Sequence, residues 1–183
     1  MSRYRTLTPA EMTPQQRRVH DMIVAGRRGR FGGPFQILIR APEICEHAAK
    51  LGEHLRWNTS LPARLSELAI ITTARFWRAQ YEWYAHAPLA EKAGVPAAAI
   101  EAIRRGEPPH FAAADEALVY QICTDLQQRQ RLSDARFAEA IAVLGEVGLI
   151  EIIALIGYYT LIGNTLNAFA VAVPDGATPP FPE

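Results

Sequence analysis

Apolar and polar positions along the chain follow helical rather than strand periodicity. β-branched residues never alternate with polar ones for long, which argues against strands. Thr13-Pro14-Gln15-Gln16 reads as an N-cap, a proline in the first helical position and a capping-box glutamine, so a helix is predicted from there to about Ala25. Gly26 to Phe35 is rich in glycine and reads as a loop. Further helices are predicted from Pro42 to about Trp57, from Ser60 as N-cap (with Pro62 close behind) through Thr72, and from Ala79 to about Lys92, where Gly94 supplies a stop. Pro96 opens a short helix ending near Gly106, and Glu107 to His110 is a linker. Asp115 is expected to cap a helix to about Gln130 and Ser133 another to about Leu144. Gly145 and Gly148 bracket the start of a final apolar helix, and the proline-rich segment 174–183 should be extended. The expectation is an all-α fold, a single-domain helical bundle over residues 1–183 with seven or eight helices.

Composition narrows the classes. At 183 residues, 49% hydrophobic and 21% charged, the chain is sized and composed for one globular core. Lys+Arg and Asp+Glu are both 19, so the basic excess expected of a nucleic-acid binder is missing. The two cysteines, Cys45 and Cys123, form neither a CxxC nor a zinc spacing, which excludes a disulfide framework and fits a reducing cytoplasm. Val147 to Val173 resembles a membrane span, with Glu151 its only charge. It lacks flanking Lys or Arg and is interrupted by Gly157, Gly163, Asn164, Thr165 and Asn167, so burial is expected instead, partly between chains of a homo-oligomer.

The informative segment for chemistry runs from Glu67 to Gly94. Glu82 and His86 stand at i and i+4, on one helix face, where a carboxylate orients an imidazole and raises its pKa. Such pairs are common on solvated helices. This one is embedded among Trp77, Tyr81, Trp83, Tyr84 and Pro88, a composition that points to a pocket. The glycine-rich loop reads as a flap that lays Phe31 and Phe35 over a cavity; it lacks the ending of a phosphate-binding loop.

The same segment resembles the carboxymuconolactone decarboxylase family, which includes the alkylhydroperoxidase D-like proteins. The resemblance lies in Glu67-Leu68-Ala69, Ala74-Arg75, Tyr81-Glu82-Trp83, His86, Leu89-Ala90 and Ala93-Gly94-Val95, with a core motif over 60–95. It implies an all-helical fold that assembles as trimers or hexamers. In the alkylhydroperoxidase branch the motif is a Glu, eleven residues, Cys-x-His-Cys, three residues and a His. Laid on this chain, the Glu falls on Glu67 and the last His on His86, while the two thiol positions are Ala79 and Glu82. Both thiols are missing, which places disulfide-cycling peroxide reduction in doubt.

The resemblance therefore implies a cofactor-independent lyase, decarboxylating a small lactone or organic acid from aromatic catabolism, with neither metal nor cofactor. His86, Glu82 and Glu67 are the implied catalytic residues. Tyr81, Arg75, Phe31, Phe35 and Trp83 are candidates for substrate binding, and Arg78 and the loop arginines Arg27, Arg28 and Arg30 are further cations for an anionic substrate. Tyr158, Tyr159, Asn164 and Asn167 are candidates to line the same cavity. The rival readings are a peroxiredoxin-like antioxidant oxidoreductase and a non-catalytic oligomer that binds a small ligand. The expected partners are a small-molecule substrate and further copies of the chain, with no nucleic acid and no membrane.

Glu67 and His86 are 19 residues apart, about 28 Å on one straight helix. The resemblance implies a reversal near Trp77 to Ala79 that would set them level on adjacent antiparallel helices. No Gly or Pro marks such a break.

Overall fold

A computed structural model describes residues 2–181. Among them there are eight α-helices, a short 3-10 turn at Pro9–Glu11 and no strand. The helices are α1 (Pro14–Ala25), α2 (Phe35–Leu38), α3 (Pro42–Trp57), α4 (Ala63–Phe76), α5 (Gln80–Lys92), α6 (Ala97–Arg105), α7 (Ala114–Arg129) and α8 (Asp134–Ala168).

Local sequence accounts for most of these limits. Thr13 Oγ1 accepts the Gln16 N–H, and the Gln16 side chain returns to the Thr13 N–H at 3.0 Å, closing the capping box of α1. Gly106 ends α6 at φ 78, a left-handed backbone that glycine adopts without penalty. Ser133 caps α8 by accepting the Arg136 N–H. Two expected caps are corrected. α4 starts after Pro62, and Ser60 instead donates from both its N–H and its hydroxyl to Glu151, the one charge in the apolar run. Asp115 lies inside the first turn of α7, where its carboxylate pairs with Arg64; the N-cap is Ala113. The short helix α2 follows directly on the predicted loop.

α4 is the central element. Its residues Leu65, Leu68, Ala69, Ile70, Ile71 and Ala74 are all buried, and it packs against α5, α7 and α8 at once. A helix surrounded in this way is apolar on every side. The hydroxyls of Thr72 and Thr73 are satisfied by donating to the Leu68 and Ala69 carbonyls. A second, smaller cluster of Val19, Ile23, Phe35, Ile39, Cys45 and Ala49 joins α1, α2 and α3.

α8 is long and apolar enough to cross a membrane by length and composition. One face nevertheless belongs to the main core through Ile152, Leu155, Tyr159, Ile162 and Leu166. Its backbone breaks at Gly145 (φ 71, ψ 173). The other face, with Val147 at 61% and Ile150 at 65%, is exposed.

Candidate functional site

The site is built by the reversal between α4 and α5. α4 ends at Phe76, and the chain turns back through Trp77, Arg78 and Ala79. Arg78 takes the left-handed backbone at φ 50, where glycine would be expected. The Arg78 and Ala79 N–H groups donate to the Arg75 and Ala74 carbonyls, closing the turn. α8 braces it from outside. Trp77 Nε1 donates to Thr160 Oγ1 at 3.1 Å, and Asn167 Nδ2 donates to the Trp77 carbonyl at 2.6 Å. The fully buried Ala79 faces Gly163, where an added Cβ would stand 3.5 Å from the Ala79 Cβ, an ordinary contact.

The reversal sets Glu67 on α4 level with His86 on α5. Glu67 Oε2 lies 2.7 Å from His86 Nδ1, and Glu82 Oε1 lies 3.0 Å from His86 Nε2. Both ring nitrogens thus face carboxylates, and the side chains of Glu82 and His86 are each only 6% exposed. Burial by itself would lower the pKa of the imidazole. The hydrogen bonds and charges of Glu67 and Glu82 outweigh it and raise the ring to about 9. At neutral pH the histidine is an imidazolium donating to both acids, and Tyr159 packs edge-on against it with ring centroids 5.2 Å apart.

A cavity of about 440 Å³ opens onto this triad, within the range of small-ligand sites. Glu82, His86, Tyr81, Tyr158 and Tyr159 line it, together with Phe31 and Phe35, the loop arginines Arg28 and Arg30, and Arg56 with Trp57 from the end of α3. Glu67 is not part of the lining; it holds His86 from behind. The tyrosine hydroxyls are kept neutral: burial pushes Tyr158 up to about 12 and Tyr159 well above its ordinary value.

Among the residues expected to bind substrate, Tyr81, Phe31 and Phe35 line the cavity, and Arg75 and Trp83 do not. Arg75 sits eight residues toward the turn from Glu67, about 12 Å along the axis. Its Nε donates to the Arg104 carbonyl at 2.9 Å and its guanidinium covers the Phe181 ring. Trp83, one residue past Glu82, is rotated into the core and packs edge-on against Phe181. Arg27 also lies outside the cavity lining, its Nη1 donating to the Trp57 carbonyl. Asn164 and Asn167 are likewise absent from the lining, whereas Tyr158 and Tyr159 contribute to it. Arg56 was not singled out by the sequence, since a basic residue in the last turn of a helix is ordinary C-terminal chemistry.

Neither cysteine reaches the site. Both are free and buried, Cys45 in the smaller cluster and Cys123 in the main core, and burial pushes both thiols up to about 12. Among the described residues, no group of three or more His, Cys, Asp or Glu could hold a metal ion.

The fold and the site thus define an all-helical protein with a buried Glu–His–Glu centre at the α4–α5 reversal. Residues 42–119, which include that whole centre, match the model of the Carboxymuconolactone decarboxylase family. No curated protein matches the chain.

Proposed function

We propose that the protein is a cofactor-independent acid/base lyase that decarboxylates a small lactone or organic acid of the kind produced by aromatic-ring breakdown. The observation that carries this reading is the imidazolium of His86 held between Glu67 and Glu82, with Glu82 facing the cavity.

In the reaction, the bond from the substrate carbon to its carboxylate breaks and carbon dioxide leaves. The electron pair stays on the carbon, delocalised into an adjoining carbonyl. His86 Nε2 passes its proton to the Glu82 carboxylate across the 3.0 Å contact, the Glu82 carboxyl delivers it to that carbon, and solvent water reprotonates the imidazole. Glu67 is a positioning residue: it fixes the ring through Nδ1 and stabilises its charge. Phe31, Phe35 and Tyr81 flank the reacting group and restrict water. Thiol-based peroxide reduction has no support here, because both cysteines are buried and neither lines the cavity.

The test is carbon dioxide release from a panel of lactone acids. Glu82→Gln should lower kcat by at least about 100-fold. Glu67→Gln should lower kcat less and move the pH profile, because it changes the imidazole rather than the proton donor. Full turnover in Glu82→Gln would remove the carboxyl from the reaction.

Assembly belongs to the same reading. Val147, Ile150, Ala154, Gly157 and Leu161 fall on one face of α8, and no side chain lies within 4 Å of where a Gly157 Cβ would stand. An uncharged apolar strip of this kind fits a second copy of itself, and we propose a homo-oligomer built on it. The setting on this reading is the reducing cytoplasm, where free cysteines persist as thiols.

A further inference from the structure

Two guanidinium groups in the cavity wall have unused donors. Arg28 Nη2 and Arg56 Nε are buried and make no hydrogen bond. Neither side chain is paired with a carboxylate among the described residues, although Arg64, Arg104 and Arg136 elsewhere each are. Leaving a buried guanidinium short of acceptors is unfavourable, and both side chains line the cavity, so an anion entering it would supply the partner they lack.

The faces of both groups are already engaged. Arg28 lies over Phe35 at 4.6 Å and over Trp57 at 5.7 Å, and Arg56 lies over Trp57 at 4.5 Å. Trp57 is shared between them. The aromatic contacts hold both guanidinium groups in place, and a planar fork held in place is suited to a two-oxygen acceptor.

Charge points the same way. Glu67, His86 and Glu82 together carry one negative charge when the ring is protonated. Arg28, Arg56 and Arg30 add three positive charges, leaving the cavity positive until an anion enters. Phe31, Phe35 and Tyr81 give the same cavity an aromatic lining.

We propose that Arg28 and Arg56, bridged by Trp57, form a carboxylate-binding subsite that anchors a ring-bearing organic acid with its other end toward Glu82. The group held there is the anchor and not the one lost, because two arginines would stabilise a departing carboxylate in the ground state. Only this assignment of ends rests on the acid/base reading; the anion subsite stands on the arginines themselves.

Calorimetry with benzoate, with its neutral isostere benzamide, and with inorganic phosphate tests the proposal on the full chain. Benzoate should bind at least tenfold more tightly than benzamide and weaken as salt is added. Arg28→Gln and Arg56→Gln should each weaken benzoate at least tenfold and leave benzamide within about twofold. Glu82→Gln should keep benzoate binding. Equal affinity for benzoate and benzamide would overturn the subsite, as would undiminished benzoate binding in both arginine variants. Phosphate binding more tightly than benzoate would overturn the carboxylate assignment. If either variant fails to fold, the benzoate, benzamide and salt comparisons on the unaltered protein decide. Loss of benzoate binding in the arginine variants beside full turnover in Glu82→Gln would retain the subsite and reject the acid/base mechanism.

Discussion

Gly33 lies so close to the face of Tyr81 that a Cβ placed on it would fall 2.5 Å from Tyr81 Cε1. The loop before α2 thereby rests directly on the first turn of α5, one residue before Glu82. Gly33 also has φ 57, so any side chain there meets both a strained backbone and the ring. Gly33→Ala should lift the loop from Tyr81 and displace Phe31 and Phe35 with it. The expected result is a KM raised severalfold and a loss of about 1–3 kcal/mol in stability. Urea unfolding and steady-state kinetics on the same preparation check both.

The charged histidine makes stability depend on pH in a defined direction. His86 titrates at about 9 in the folded protein and near its ordinary 6.5 when unfolded. Because the folded value is the higher, the contribution is fully present below about 6.5 and is lost as pH rises through about 9. Its size is on the order of 3 kcal/mol. The urea midpoint should therefore fall between about pH 6.5 and pH 9, and Glu67→Gln should flatten that slope.

The cysteines should be dispensable for turnover. Cys45→Ala and Cys123→Ala each shorten a fully buried side chain, at a cost of about 1–2 kcal/mol. The double variant, checked for folding by circular dichroism, should keep turnover within about twofold. Abolished activity in a folded double variant would return thiol chemistry to consideration.

Self-association should depend on the exposed strip of α8. Ile150 is 65% exposed, and Ile150→Glu would set like charges against one another in a symmetric interface. Light scattering on a sizing column should give an oligomer for the unaltered chain and a smaller species for the variant. A monomer at micromolar concentration in the unaltered chain would sink the assembly.

Much of the fold is written in local rules. The start of α1 follows from Thr13, Pro14 and Gln16, and the end of α6 from Gly106. The Glu82–His86 contact was legible too, because a spacing of four places both on one face. The α4–α5 reversal was legible only through the family resemblance. Its left-handed residue is Arg78, and the turn is braced by Thr160 and Asn167 from a helix more than eighty residues away in sequence. Arg75 and Trp83 looked like site residues because they lie in the motif, but helical rotation and distance from the triad take them to the side chain of Phe181. Arg56 carries no local signal, since its role comes from sharing Trp57 with a loop arginine.

The reversal also works as a ruler. The 2.7 Å contact between Glu67 and His86 depends on the lengths of the two arms leading from the turn. Each residue of an arm advances the helix by about 1.5 Å and rotates it by about 100°. Inserting a single residue between Glu67 and Trp77, or between Ala79 and His86, would swing one partner off the other's face, whatever its identity. Substitutions in the arms can be absorbed by repacking; changes of length cannot. A distant sequence that keeps the acid and the histidine but alters the count between them would therefore lack this centre.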